Sequence, residues 1–147
     1  MSNRSFLMVI ALLVSATKLA HAQGAGITDQ LAAAEAIWKR APLRSYEYTL
    51  HYEAFVVDPE CDSPTLRTRV VNGVVMRTAG CPALRSSYSS VPRIFQFIKE
   101  TLAKHPDKIE VTFDETRGYP VRVFVDPKSD IADDEFYFEV SDFKVLK

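Results

Sequence analysis

The stretch Leu66-Arg67-Thr68-Arg69-Val70-Val71-Asn72-Gly73-Val74-Val75-Met76-Arg77-Thr78 reads as two strands joined by a two-residue turn. Both central positions of a type I′ turn need positive φ, so Asn72-Gly73 between these runs is a strong hairpin signal. Register counted outward from the turn sets Pro64 opposite Cys81, with Cys61 a few residues away across the open mouth. A Cys61–Cys81 disulfide then closes the hairpin, either directly across it or by the 58–64 loop folding back to meet Cys81. By chain entropy such a closure contributes about 3 kcal/mol.

N-terminal to the hairpin, Tyr46, Tyr48, Leu50, Tyr52, Ala54 and Val56 alternate with Glu47, Thr49, His51 and Glu53, the period of a half-buried strand over 46–57. Before it, Leu31, Ala34, Ile37, Trp38 and Ala41 form one helical stripe. Thr28 or Asp29 caps that helix, Lys39-Arg40 suit the dipole at its end near Arg40, and Pro42 stops it. C-terminal to the hairpin, residues 82–90 read as a Ser-rich loop ending in an N-cap at Ser89 or Ser90. Val91, Ile94, Phe95, Ile98 and Leu102 then mark a helix that runs to about Lys104, with Pro92 tolerated in its first turn.

Three more strands follow over 109–113, 121–125 and 136–140, the first two joined by Asp114–Gly118, where Gly118 supplies a left-handed residue. The order is helix, three strands, helix, three strands. Short connections favour antiparallel pairing, so the expectation is an α+β fold with a largely antiparallel sheet and both helices on one of its faces.

Residues 1–22 are expected to lie outside this fold. Arg4, the apolar run Phe6–Ala16 and Ala20-His21-Ala22 form the three parts of a secretory signal peptide with cleavage near Ala22, leaving one domain over 23–147. The apolar run falls short of the roughly 20 residues that span a bilayer, so no membrane span is expected. Losing Arg4 and Lys18 lowers the basic count from 18 to 16 against 19 acidic residues, a formal charge of −3. That balance offers no excess to neutralise a run of phosphates, and nucleic-acid binding is not expected. In an oxidising compartment, two cysteines read as a disulfide rather than a metal pair.

Several of these features occur together in a known family. Trp38, Tyr46-x-Tyr48, Asn72-Gly73, an aromatic at Phe95 or Phe97, Val111-x-Phe113-Asp114, Gly118-Tyr119-Pro120, Asp126 and Asp133-Asp134-Glu135 resemble bacterial secreted and lipoprotein domains catalogued as domain of unknown function number 6174. The resemblance runs from Trp38 to Phe143. It implies a fold and an envelope location, and no activity, substrate, cofactor or catalytic residue. The chain departs from many members in having no Cys at the mature N-terminus for lipid attachment.

Chemistry-bearing motifs are sparse. There is no Gly-x-Ser-x-Gly, His-Glu-x-x-His or phosphate-cradling Gly-rich loop, and no cofactor is implied. A small periplasmic hydrolase would have to use His51 with Glu47 or Glu53, and catalysis is not the leading expectation. Asp126, Asp130, Asp133, Asp134 and Glu135 offer hard oxygen ligands suited to calcium, though not at EF-hand spacing, and Asp equally well forms loop turns. Tyr119 is either a packed strand-start aromatic or part of a binding set.

The leading expectation is a non-catalytic binding or envelope-associated module using the open face of the sheet. If the helices cover one face, the other carries Arg122, Phe124, Tyr137 and His51 with Glu47, Glu53 and Glu139, joined by Arg67 and Arg69. Aromatics and Arg on an open face have the composition of a protein-binding surface, here for an envelope protein.

Overall fold

The computed structural model describes residues 26–40, 43–54, 61 and 64–147. The signal peptide and its cleavage point, Ala41 with its stop at Pro42, and the strand tail 55–57 lie outside these residues.

The hairpin forms as its turn chemistry requires. Asn72 and Gly73 sit at φ 52° and 80°, linking β2 (Thr65–Val71) to β3 (Val74–Gly80). The turn is also tied to the chain entering the preceding strand: Gly73 N–H donates to the Arg44 carbonyl at 2.7 Å and Asn72 N–H to Ser45 Oγ at 3.1 Å. The counted register holds only near the turn. A bulge between Arg69 and Val70 makes Arg69 face Arg77 rather than Met76, and Leu66 face Gly80. Cys81 therefore meets Thr65, to whose carbonyl it donates at 2.9 Å, and not Pro64. Cys61 and Cys81 are disulfide-bonded with Cα atoms 4.8 Å apart.

Ahead of the hairpin are α1 (Ile27–Arg40) and β1 (Tyr46–Ala54); after it come α2 (Arg85–Tyr88), α3 (Val91–Ala103), β4 (Lys108–Phe113), β5 (Pro120–Asp126) and β6 (Phe136–Val145). The α+β class and antiparallel pairing stand, but the simple order of one helix between two strand triplets is corrected. The segment between β3 and β4 holds three helical pieces, because Pro82 opens a 3-10 turn over Pro82–Leu84 that runs into α2. Extended backbone at Ser90 then separates α2 from α3, and Ser90 Oγ caps α3 by accepting from Arg93 N–H.

All six strands belong to one sheet in the order β3-β2-β1-β6-β5-β4, every neighbour antiparallel. Two three-stranded meanders thus join through β1 and β6 at the centre. The alternating side chains Tyr46, Tyr48, Leu50, Leu66, Val70, Val123, Val125, Phe138 and Val140 share one core with Leu31, Ala34 and Trp38 of α1 and Val91, Ile94, Phe95 and Ile98 of α3. Tyr46 and Tyr48 tie this layer to the helices through their hydroxyls. Tyr46 accepts from Val91 N–H at 3.2 Å, and Tyr48 donates to the Tyr88 carbonyl.

β6 runs five residues past the expected end at Val140. Asp142, at φ 52°, lies where the pairing with β1 shifts by one residue. The shift restores Phe143 to the core side, where its ring stacks on Tyr46 at 5.5 Å and Tyr48 at 6.3 Å.

Candidate functional site

Strand alternation that buries one face commits the other set of side chains outward. Paired register places these in rows across the sheet. Arg77, Arg69, Glu47 and Lys144 cross β3, β2, β1 and β6 in one row. Ala79, Arg67, Thr49 and Ser141 form the next. Thr65, His51, Glu139, Arg122 and Thr112 form the third, and Glu53, Tyr137, Phe124 and Glu110 the fourth. None of these outward residues is fully buried. Every buried apolar residue of a described helix belongs to the opposite side's core.

His51, Arg122, Phe124 and Tyr137 are therefore brought together on three adjacent strands. Phe124 and Tyr137 are direct cross-strand partners and half-buried, so they lie in the face rather than protruding from it. The Tyr137 hydroxyl donates to Glu139 Oε2, which also accepts from Arg122 Nε at 3.3 Å and Nη2 at 3.2 Å. That hydroxyl, followed by the Arg122 charge, holds the Glu139 carboxyl below the usual range. Burial and the neighbouring carboxylate push the Tyr137 phenol up. Lys108 Nζ stands 5.3 Å from the centre of the Phe124 ring, a cation–π contact.

Tyr119 does not join this set. It stacks on Phe143 at 4.2 Å, and Phe143 in turn meets Trp38 edge-on, so Tyr119 belongs to the aromatic cluster on the helical side. The physical reason is the β6 bulge, which turns Phe143 inward.

The acidic loop holds its carboxylates close without gathering them into a cage. Asp134 is pushed up by burial and then by the charges of Asp126, Glu135 and Asp130. Asp126 Oδ1 and Asp134 Oδ1 are buried without a hydrogen-bond partner among the described residues. Among those residues, no group of three or more His, Cys, Asp or Glu side chains is placed to hold a metal ion. Asp133, at φ 67°, takes a left-handed turn position that Asp tolerates, in keeping with the turn-forming reading.

The other half of the face is concave. A cavity of about 550 Å³ is lined by Arg67, Arg69, Arg77 and Lys144 with Glu47, Asp142, Thr49 and Ala79. The sequence reading reached Glu47, Arg67 and Arg69 of these but neither Arg77 nor Lys144. Arg77 escapes the counted register because the extra residue Met76 in β3 moves it by one position, and Lys144 lies beyond the expected end of β6. His51 is exposed and lines neither this cavity nor a smaller one of about 320 Å³ between α1 and α3. Among the described residues no helix is long and apolar enough to cross a membrane.

A family model described as a family of unknown function (DUF6174) matches residues 30–145. No curated protein and no solved structure matches the chain.

Proposed function

The chain belongs to the DUF6174 family of unknown function, and on that premise we propose that it is an exported, non-catalytic binding module that uses the outer face of its sheet to hold an envelope protein. Export rests on the Arg4, Phe6–Ala16 and Ala20-His21-Ala22 signal, with cleavage near Ala22. The observation that carries the binding reading is the Phe124–Tyr137 cross-strand pair, which sits on the face that the described helices leave uncovered and is rimmed by Lys108, Arg122 and Glu139. Aromatic surface beside Arg, on a rigid sheet, gives contact area at small entropic loss. The hydrolase reading has less support, because His51 stands exposed on an open strand rather than in a cleft that could seat a substrate.

Crosslinking pull-down from the protein's own envelope extract tests this reading. One envelope protein should be recovered with the wild type and lost with Phe124→Ala/Tyr137→Ala. The pair contributes its cross-strand contact, the Tyr137–Glu139 hydrogen bond and the Lys108–Phe124 contact, all on a half-exposed face, so the double variant should lose about 2 kcal/mol of stability and still fold. An unchanged catch overturns the proposal, and so does a double variant that no longer folds, since both rings would then be structural.

A further inference from the structure

The cavity on the β3-β2-β1-β6 half of the face carries a charge arrangement that folding alone disfavours. Arg69 and Arg77 are direct cross-strand partners on the same face. Like charges so placed destabilise a strand pair. Arg67 lies two residues from Arg69 on the same strand and lines the same cavity, and Lys144 ends the row opposite Glu47. Four cations thus face two carboxylates, Glu47 and Asp142. Glu47 reaches Arg69 only at 3.9 Å, and Arg67, Arg77 and Lys144 have no ion pair among the described residues. The floor between them is low because Thr49 and Ala79 are small. In a chain whose formal charge is −1 overall, this is a local positive basin.

We propose that this cavity binds a small soluble phosphorylated molecule, a diphosphate or phosphate ester. Arg forks match carboxylate and phosphate oxygens alike, but a carboxylate occupies one fork with its two oxygens. Guanidinium groups from facing strand positions, with Cβ atoms about 5 Å apart, converge on one group when it offers three oxygens. A second anionic group is then met by Lys144 across the row. The volume of about 550 Å³ exceeds what a bare ion needs and falls within the range of small-molecule sites. This site is separate from the Phe124–Tyr137 half of the face and does not rest on the partner proposed there.

Calorimetric titration of the intact protein with pyrophosphate tests it, with citrate and vesicles of anionic phospholipid as comparison ligands. Pyrophosphate should bind, and Arg67→Gln/Arg77→Gln should weaken it at least tenfold. The same variant should melt no lower than the wild type, because it removes the Arg69–Arg77 opposition. Lys104→Gln, at the end of α3, controls for loss of net charge and should leave binding unchanged. If the double variant fails to fold, Arg77→Gln alone, exposed on an edge strand, carries the same test. The proposal is overturned if pyrophosphate does not bind, if the Arg variants bind it as the wild type does, if citrate binds more tightly, or if only vesicles bind.

Discussion

At Gly118 the backbone is held at φ +77°, and a Cβ there would lie 2.2 Å from the Ala34 carbonyl oxygen of α1. The turn beneath that contact is closed by Asp114, whose Oδ1 accepts from Thr116 and Arg117 N–H and whose carbonyl accepts from Gly118 N–H at 2.7 Å. Gly118→Ala therefore meets two penalties, a strained backbone and a collision with a helix that cannot recede without opening the core. We expect it to lower stability by about 2 kcal/mol or more, read as a fall in the urea midpoint. Gly118 was legible in the sequence because glycine between Asp114 and Tyr119 has a local cause. Asp142 and Met76 were not, since each bulge is set by how two strands fit and neither is marked by glycine. The same two bulges account for the inward Phe143 that Tyr119 stacks on and for the overlooked Arg77.

Among the elements, α1 is joined to α3 through Glu35, which meets Lys99 Nζ at 2.8 Å and Lys39 Nζ at 3.0 Å. The Lys99 hydrogen bond holds the Glu35 carboxyl below its ordinary value of 4.5 against the opposing effect of burial. The unfolded chain thus takes up this proton more readily than the folded one. Its stabilisation is complete above pH 4.5 and is lost as pH falls through the lower folded value. With Lys99 partly solvated the bridge contributes about 0.5 kcal/mol, and Glu35→Gln should flatten that part of the acid limb. Fluorescence of Trp38, the single tryptophan and part of the α1 stripe, follows it. The disulfide acts on the opposite end of the hairpin. Replacing Cys61 and Cys81 with Ser frees a span of 20 residues in the unfolded chain, and the urea midpoint should fall by the equivalent of about 3 kcal/mol. Elements with a local signature, the Asn72-Gly73 hairpin and the capped α3, were readable from composition and spacing. The 82–88 segment was not, because its serines favour loops and only packing of Leu84 and Tyr88 into the core holds it helical.

For the whole molecule, short connections specify each meander but not how the two are joined. The sheet could have closed through either pair of outer strands. Burial selects β1 beside β6, where Leu50, Val140 and Phe138 are almost wholly enclosed. Net charge misleads at this scale too, since an average near neutrality hides a basin with four cations along its walls. If the export signal is used, mass spectrometry of the protein from the periplasmic fraction should find Gln23 at its N-terminus, and an intact Met1 there would remove the case for export. The central place of β6 has a bearing on biosynthesis. Ribosomes deliver β1 early and β6 last, yet these two must lie side by side. Until residue 145 has been made, the finished β1-β2-β3 meander presents β1 as an open strand on the flank meant for β6. A nascent chain of this topology cannot complete its sheet segment by segment, which suits passage through a membrane in the unfolded state and makes any product lacking its last ten residues a source of aggregates.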